Sequence, residues 1–175
     1  MSKITLILGG ASSGKSTFGE ELANTHTKKL YLATAEISDD TEMQARIKAH
    51  KQRRDESWQT QEVPLGIANE IKKQTGEYTV ILVDCLTLWL SNLIFAGFSP
   101  EAETEKLISA IENPAGDIIF ISNEVGLSIV PENKLAREFR DEQGILNQKL
   151  AKRADNVVFI SAGIPLYLKE ASNGS

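Results

Sequence analysis

Gly9-Gly10-Ala11-Ser12-Ser13-Gly14-Lys15-Ser16 is the stretch that decides how the rest of the chain is read. The octet has the spacing G-x-x-x-x-G-K-[ST] of a phosphate-binding loop. Upstream, Ile4-Thr5-Leu6-Ile7-Leu8 is apolar and β-prone, and downstream residues 17–23 open as a helix. A strand, a glycine-rich turn and a helix start are the parts such a loop needs. Backbone N–H groups of the turn and the positive end of the helix then face an anion. Lys15 is placed to reach the β- and γ-phosphates, and the Ser16 hydroxyl to ligate Mg²⁺.

Outward from this loop, short apolar runs alternate with helical stretches, the pattern of an α/β protein with a largely parallel sheet. Strands are expected over 4–8, 29–34, 58–63, 79–84, 117–122 and 156–161. The last of these is read as leading into a tail that begins Gly163-Ile164-Pro165. Helices are expected from the loop to about residue 24, and over 39–54, 65–74, 86–95, 101–112 and 134–154. Asp39 or Asp40 suits the cap of the second helix and Asn133 that of the last, where Gly144 is a weak point. Gly76 and Asn113-Pro114 read as stops. No repeat, low-complexity block or long linker divides the chain, so residues 1–175 read as one P-loop nucleotide-binding domain.

Bulk composition narrows the class. The 175 residues are 41% hydrophobic and 25% charged, ordinary values for a globular protein. A net charge of -5 argues against a general affinity for nucleic acid, but leaves the local positive field of a phosphate loop intact. Cys85 is the single cysteine, which suits a reducing compartment, and no signal-peptide pattern precedes the first strand; a cytoplasmic protein is expected. Residues 80–97 approach membrane-span length, but Asp84, Ser91 and Asn92 interrupt them. A buried strand followed by a buried helix explains the run better.

Val80-Ile81-Leu82-Val83-Asp84 places a carboxylate at the end of a second buried strand, where such proteins hold Mg²⁺. The same Asp equally suits the cap of the following helix. Regulatory GTPases add D-x-x-G and N-K-x-D. Here Asp84-Cys85-Leu86-Thr87 lacks the glycine and Asn133-Lys134-Leu135-Ala136 lacks the final Asp. A small phosphoryl or nucleotidyl transferase is the better class.

Of the two histidines, His26 lies at a polar helix end and reads as solvated. His50 shares a helical face with Arg46, and Arg53 is close to that face. Neighbouring cations lower an imidazole pKa and attract a triphosphate, and a neutral imidazole attacks phosphorus well. The same spacing also describes an ordinary solvated basic face.

Taken together, the motifs resemble the bifunctional adenosylcobinamide kinase / adenosylcobinamide-phosphate guanylyltransferase family of cobalamin biosynthesis. The matching pieces run from Leu6 to Lys169: the phosphate loop, Tyr31-x-Ala33-Thr34, Arg46-Ile47-x-x-His50, Trp58, Glu62 and Asp84-Cys85-Leu86-Thr87. Ser122-Asn123-Glu124-Val125-Gly126 and Ile129-Val130-Pro131-Glu132-Asn133 are the most specific. Arg137, Arg140, Gly144, Asn147 and Asp155 fall in the remaining matches.

The resemblance implies a RecA-like P-loop fold and two reactions. A nucleoside triphosphate, ATP or GTP, phosphorylates adenosylcobinamide. GTP then gives GMP to adenosylcobinamide phosphate through a guanylyl-histidine, and His50 occupies that position. The implied nucleotide pocket is Gly9 to Ser16 with Thr34, Ala35, Glu36, Lys51, Gln52, Arg53, Arg54, Glu62 and Asp84. Glu62 is equally a surface charge at a sheet edge. Mg²⁺ is implied on Ser16 and Asp84, and the assembly is expected to be a homotrimer with no membrane span. Arg137 and Arg140 either hold the phosphate of the second substrate or pair with Glu138, Asp141 or Glu142. The chain has Ser12 where many relatives have Arg, and Ala49 where some have a second His. Guanylyl transfer alone, or a nucleotide-dependent switch or assembly protein, are the competing readings.

Overall fold

The computed structural model describes residues 2–35, 55–74 and 76–171. The expected helix over 39–54, with its caps, His50, Glu36 and residues 51–54, lies outside them. The strands are β1 (Ile4–Gly9), β2 (Lys29–Ala33), β3 (Trp58–Glu62), β4 (Val80–Asp84), β5 (Asp117–Asn123), β6 (Asn156–Ser161) and β7 (Ile164–Lys169). Between them run α1 (Lys15–Ala23), α2 (Ile67–Gln74), α3 (Leu86–Phe95), α4 (Pro100–Ala110) and α5 (Lys134–Arg153). All seven strands form one sheet in the order β3-β2-β4-β5-β1-β6-β7. Every pairing is parallel except β6 with β7. This is the helix-flanked, largely parallel sheet that the alternating pattern predicts.

The central strands are apolar throughout because both of their faces are covered. On one face Ile7, Leu82, Ile119 and Ile121 pack with Phe18, Leu22 and Ala23 of α1. On the other, Leu6, Ile81, Val83, Ile118 and Phe120 pack beneath α2, α3, α4 and α5. Each such side chain, fully buried, contributes about 1.5–3 kcal/mol relative to exposure. Gly19 lets α1 lie close: a Cβ there would stand 3.2 Å from the side chains of Ile121 and Leu82.

Local signals fix most of the boundaries. Asn133 caps α5, its Oδ1 accepting from the N–H of Leu135 at 2.8 Å and of Ala136 at 3.3 Å. Ser99 caps α4 through Ala102 N–H, and Pro100 takes the first helical position. Residues 80–97 are the buried strand β4 and the helix α3, and no described helix is long and apolar enough to cross a membrane.

Two expectations are corrected. The tail after residue 161 is the edge strand β7, returning on β6 through the two-residue turn Ala162-Gly163. Both turn residues have positive φ, 51° and 79°, as a tight hairpin with primed geometry requires. Pro165 is tolerated because an edge strand has no further ladder to feed. His26 is not merely solvated: its Nε2 lies 3.4 Å from Asp117 Oδ2, at the amino end of β5.

Candidate functional site

Parallel pairing brings the carboxyl ends of β1 to β5 to one edge of the sheet, the edge where open α/β sheets bind ligands. In register, Ala33 lies beside both Glu62 and Asp84, Asp84 beside Ile121, and Gly9 beside Asn123. Residues far apart in the chain thus meet at one edge of the sheet.

The loop from Gly9 to Ser16 wraps the amino end of α1. Gly9 is required by close approach, since a Cβ there would lie 2.4 Å from the carbonyl oxygen of Ile160. Gly14 takes φ 100° as the residue before α1, a conformation that side chains rarely adopt. The β6–β7 turn buttresses the loop, with Gly163 N–H donating to Ser13 O at 2.9 Å. Ser12 is exposed with φ 54°. Lys15 is 6% exposed, and its ammonium donates to Gly10 O at 2.5 Å and to Ser13 Oγ at 3.5 Å. Burial lowers its pKa, and negative charge on Cys85, when its thiol is ionised, and on Asp84 pulls the other way. A desolvated ammonium held by one carbonyl and one hydroxyl of the loop is able to exchange them for phosphate oxygens.

Asp84 ends β4 and does not cap α3; Cys85 occupies that place. Tyr31, one strand away, donates its hydroxyl to Asp84 Oδ2 at 2.7 Å. Oδ1 has no hydrogen bond among the described residues. With the Ser16 hydroxyl it offers the hard oxygen donors that Mg²⁺ takes, and few protein ligands are needed where phosphates complete the shell. Cys85 sits beside Asp84 with its thiol pushed up to about 11 by burial, so it stays protonated at neutral pH.

Thr34 is fully buried. Its hydroxyl donates to Cys85 O at 2.7 Å and accepts from Cys85 N–H at 2.8 Å, so it clamps the Asp84–Cys85 turn. Asn92 of α3 donates to Thr34 O at 2.8 Å and to Pro64 O at 3.0 Å, tying the ends of β2 and β3 to that helix. Ala35 follows on the same edge, and Glu62 ends the edge strand β3 with its side chain exposed. Arg137 donates to the carbonyls of Pro131 and Glu132 at 3.0 and 2.5 Å, and Arg140 lies 3.5 Å from Asp141. Arg137 thus fastens the loop before α5, and Arg140 makes the surface pair.

Two features carried no role in the sequence reading. Tyr31 is one, because its partner is fixed only by the β2–β4 register. The other is the buried polar group of Ser122, Gln143 and Asn147, which joins β5 to α5. Asn147 and Gln143 lie four apart in α5, and this polar pair in a buried helical stripe is the sequence signal that could have found them.

The sequence profile of the "Cobinamide kinase / cobinamide phosphate guanyltransferase" family matches residues 5–168. The chain is 42% identical over 167 residues to the bifunctional adenosylcobalamin biosynthesis protein CobP of Pseudomonas aeruginosa, covering 94% of this chain and 96% of that one. It is 37% identical to the bifunctional adenosylcobalamin biosynthesis protein CobU of Escherichia coli K12, covering 94% and 98%. Among solved structures, the flagellar accessory protein FlaH of Methanocaldococcus jannaschii superposes with a TM-score of 0.59 at 16% identity, covering 96% of this chain and 78% of that one. The KaiC-like protein PH0186 of Pyrococcus horikoshii gives 0.57 at 13% identity, covering 99% and 82%. These two likenesses concern the fold.

Proposed function

The chain belongs to the cobinamide kinase / cobinamide phosphate guanyltransferase family, and on that premise we propose that it carries out both reactions on adenosylcobinamide. In the first, the substrate hydroxyl oxygen attacks the γ-phosphorus of ATP or GTP. The bond from that phosphorus to the β,γ-bridging oxygen breaks, the nucleoside diphosphate takes the electron pair, and the hydroxyl proton passes to water. In the second, a neutral imidazole nitrogen of His50 attacks the α-phosphorus of GTP and pyrophosphate leaves. An oxygen of the cobinamide phosphate then attacks this guanylyl-histidine, the P–N bond breaks, and the imidazole is restored.

The chain's own groups divide the work. Lys15 presents its buried charge to the β- and γ-phosphates, and the N–H groups from Gly10 to Ser16 cradle them. Glu36, residues 51–54 and Glu62 complete the nucleotide pocket in this reading, with Thr34 and Ala35 forming its β2 side. Ser16 and Asp84 suit Mg²⁺, which when bound neutralises charge on the phosphate oxygens. Homotrimer formation belongs to the same proposal. Support comes from apolar side chains left exposed, among them Phe95 at 80% and Ile129 at 94%. A cytosolic place of action follows from the triphosphate substrates.

The observation that carries the reading is 42% identity to a bifunctional relative across 94% of the chain. Mass spectrometry of the protein after incubation with GTP and Mg²⁺ tests it. A GMP adduct on His50, together with transfer of γ-label to adenosylcobinamide, is expected. An adduct without γ-transfer leaves guanylyl transfer alone, and neither product leaves a nucleotide switch.

A further inference from the structure

β5 separates the two halves of the phosphate site, pairing with β1 on one side and β4 on the other. Side chains alternate between faces along a strand. Ser122 points to the α5 face, where its hydroxyl donates to Asn147 Oδ1 at 2.7 Å. Ile119 and Ile121 point to the α1 face, in one cluster with Ile7 and Leu82. Asn123 continues the row of Ile119 and Ile121, as Asp84 continues that of Val80 and Leu82. Both therefore lie on the face of the phosphate-loop helix, on neighbouring strands, and Asn123 stands beside Gly9.

The backbone here is held on every side. Asn123 N–H donates to Thr87 Oγ1 at 2.8 Å, and its carbonyl accepts from Asn147 Nδ2 at 3.2 Å. Glu124 N–H donates to Gly9 O at 3.0 Å, extending the ladder into the phosphate loop. The half-buried carboxamide of Asn123 makes no hydrogen bond among the described residues. A fixed backbone with an unpartnered amide beside the loop is a preorganised donor.

We propose that Asn123 is a catalytic residue of the phosphoryl-transfer step, donating from Nδ2 to an oxygen of the γ-phosphoryl group, with Thr87 and Asn147 as its positioning residues. This rests on the kinase reading above. Asn123 forms no covalent bond. The alcohol oxygen bonds to the γ-phosphorus, the bond to the β,γ-bridging oxygen breaks onto the diphosphate, and the proton leaves to water. A neutral amide stabilises the charge spreading over the equatorial oxygens without attracting the incoming hydroxyl oxygen away from phosphorus.

The test compares wild type with Asn123→Ala and the near-isosteric Asn123→Asp, each checked for folding by circular dichroism. Loss of a preorganised donor predicts a fall in kinase kcat of roughly 100-fold, with KM for the nucleotide changed about threefold or less. The ratio of γ-transfer to GMP-adduct formation should drop at least about tenfold. Independently, ADP–aluminium fluoride should bind wild type more tightly than ADP does, and the variants should lose that preference. Retention of the preference together with wild-type kcat overturns the assignment. So does an equal loss of both activities with weakened ADP binding, which marks a merely structural residue. If wild type itself transfers no γ-phosphoryl group, the kinase reading fails, and the fluoride preference still decides whether Asn123 faces that group. Asn147→Ala should reproduce the kcat loss in weaker form, and Asn147→Gln should restore part of it.

Discussion

Tyr31 donates its hydroxyl to Asp84 Oδ2 at 2.7 Å across the β2–β4 pairing, fixing which carboxylate oxygen is left for other partners. The bond ties the orientation of a candidate metal ligand to the register of the sheet.

Tyr31→Phe should therefore act on both stability and ion use. Loss of a bond to a half-buried carboxylate costs about 1–2 kcal/mol, read as a lower urea midpoint. Half-maximal kinase activity should need more Mg²⁺, by roughly threefold to tenfold. An unchanged Mg²⁺ titration beside a lowered stability would make the hydroxyl purely structural.

Lys15→Ala should weaken both activities, since both use one triphosphate cradle. A fall of at least about 100-fold in kcat/KM is expected for each. Calorimetric titration with GTP should show the same loss, and full retention of either activity would separate the two sites.

His50→Ala should abolish the GMP adduct and guanylyl transfer while γ-transfer to adenosylcobinamide remains measurable. Paired radiolabel assays with α- and γ-labelled GTP read this directly. Equal loss of both in a folded protein would assign His50 to binding.

Gly9→Ala and Gly144→Ala should have opposite signs. The first drives a Cβ to 2.4 Å from the backbone oxygen of Ile160, so the loop must shift and stability must fall by about 2 kcal/mol or more. The second adds a methyl group inside α5 with nothing within 4 Å, and helix propensity favours Ala by about 1 kcal/mol. Thermal melts should move by roughly 2–4 °C per kcal/mol.

Cys85 should be nearly inert to alkylation at pH 7. Its thiol is raised from 9.0 to about 11, so its thiolate fraction is about 100-fold below that of an ordinary cysteine. Labelling rates with iodoacetamide should climb tenfold per pH unit until close to pH 11 and then level off. Reaction at the rate of a free thiol would show that Cys85 is not buried beside Asp84 as described.

What the chain announces by itself is local. The phosphate loop, the buried strand ending in Asp84, the cap at Asn133 and the stop at Gly76 are each set by neighbours within a few residues, where turn chemistry and side-chain period act. The family resemblance also follows from residue order alone. The edge strand β7 escaped because a two-residue turn at Ala162-Gly163 is a weak signal and Pro165 argues against a strand. Only the tertiary structure decided that Tyr31 holds Asp84, that Thr34 clamps Cys85, that Gly163 braces Ser13, and that Thr87 and Asn147 pin Asn123. These partners lie between 24 and 150 residues apart, and strand order and register bring them together. Sequence period shows which residues share a face; only pairing in space selects which strand, and which polar atom, stands opposite.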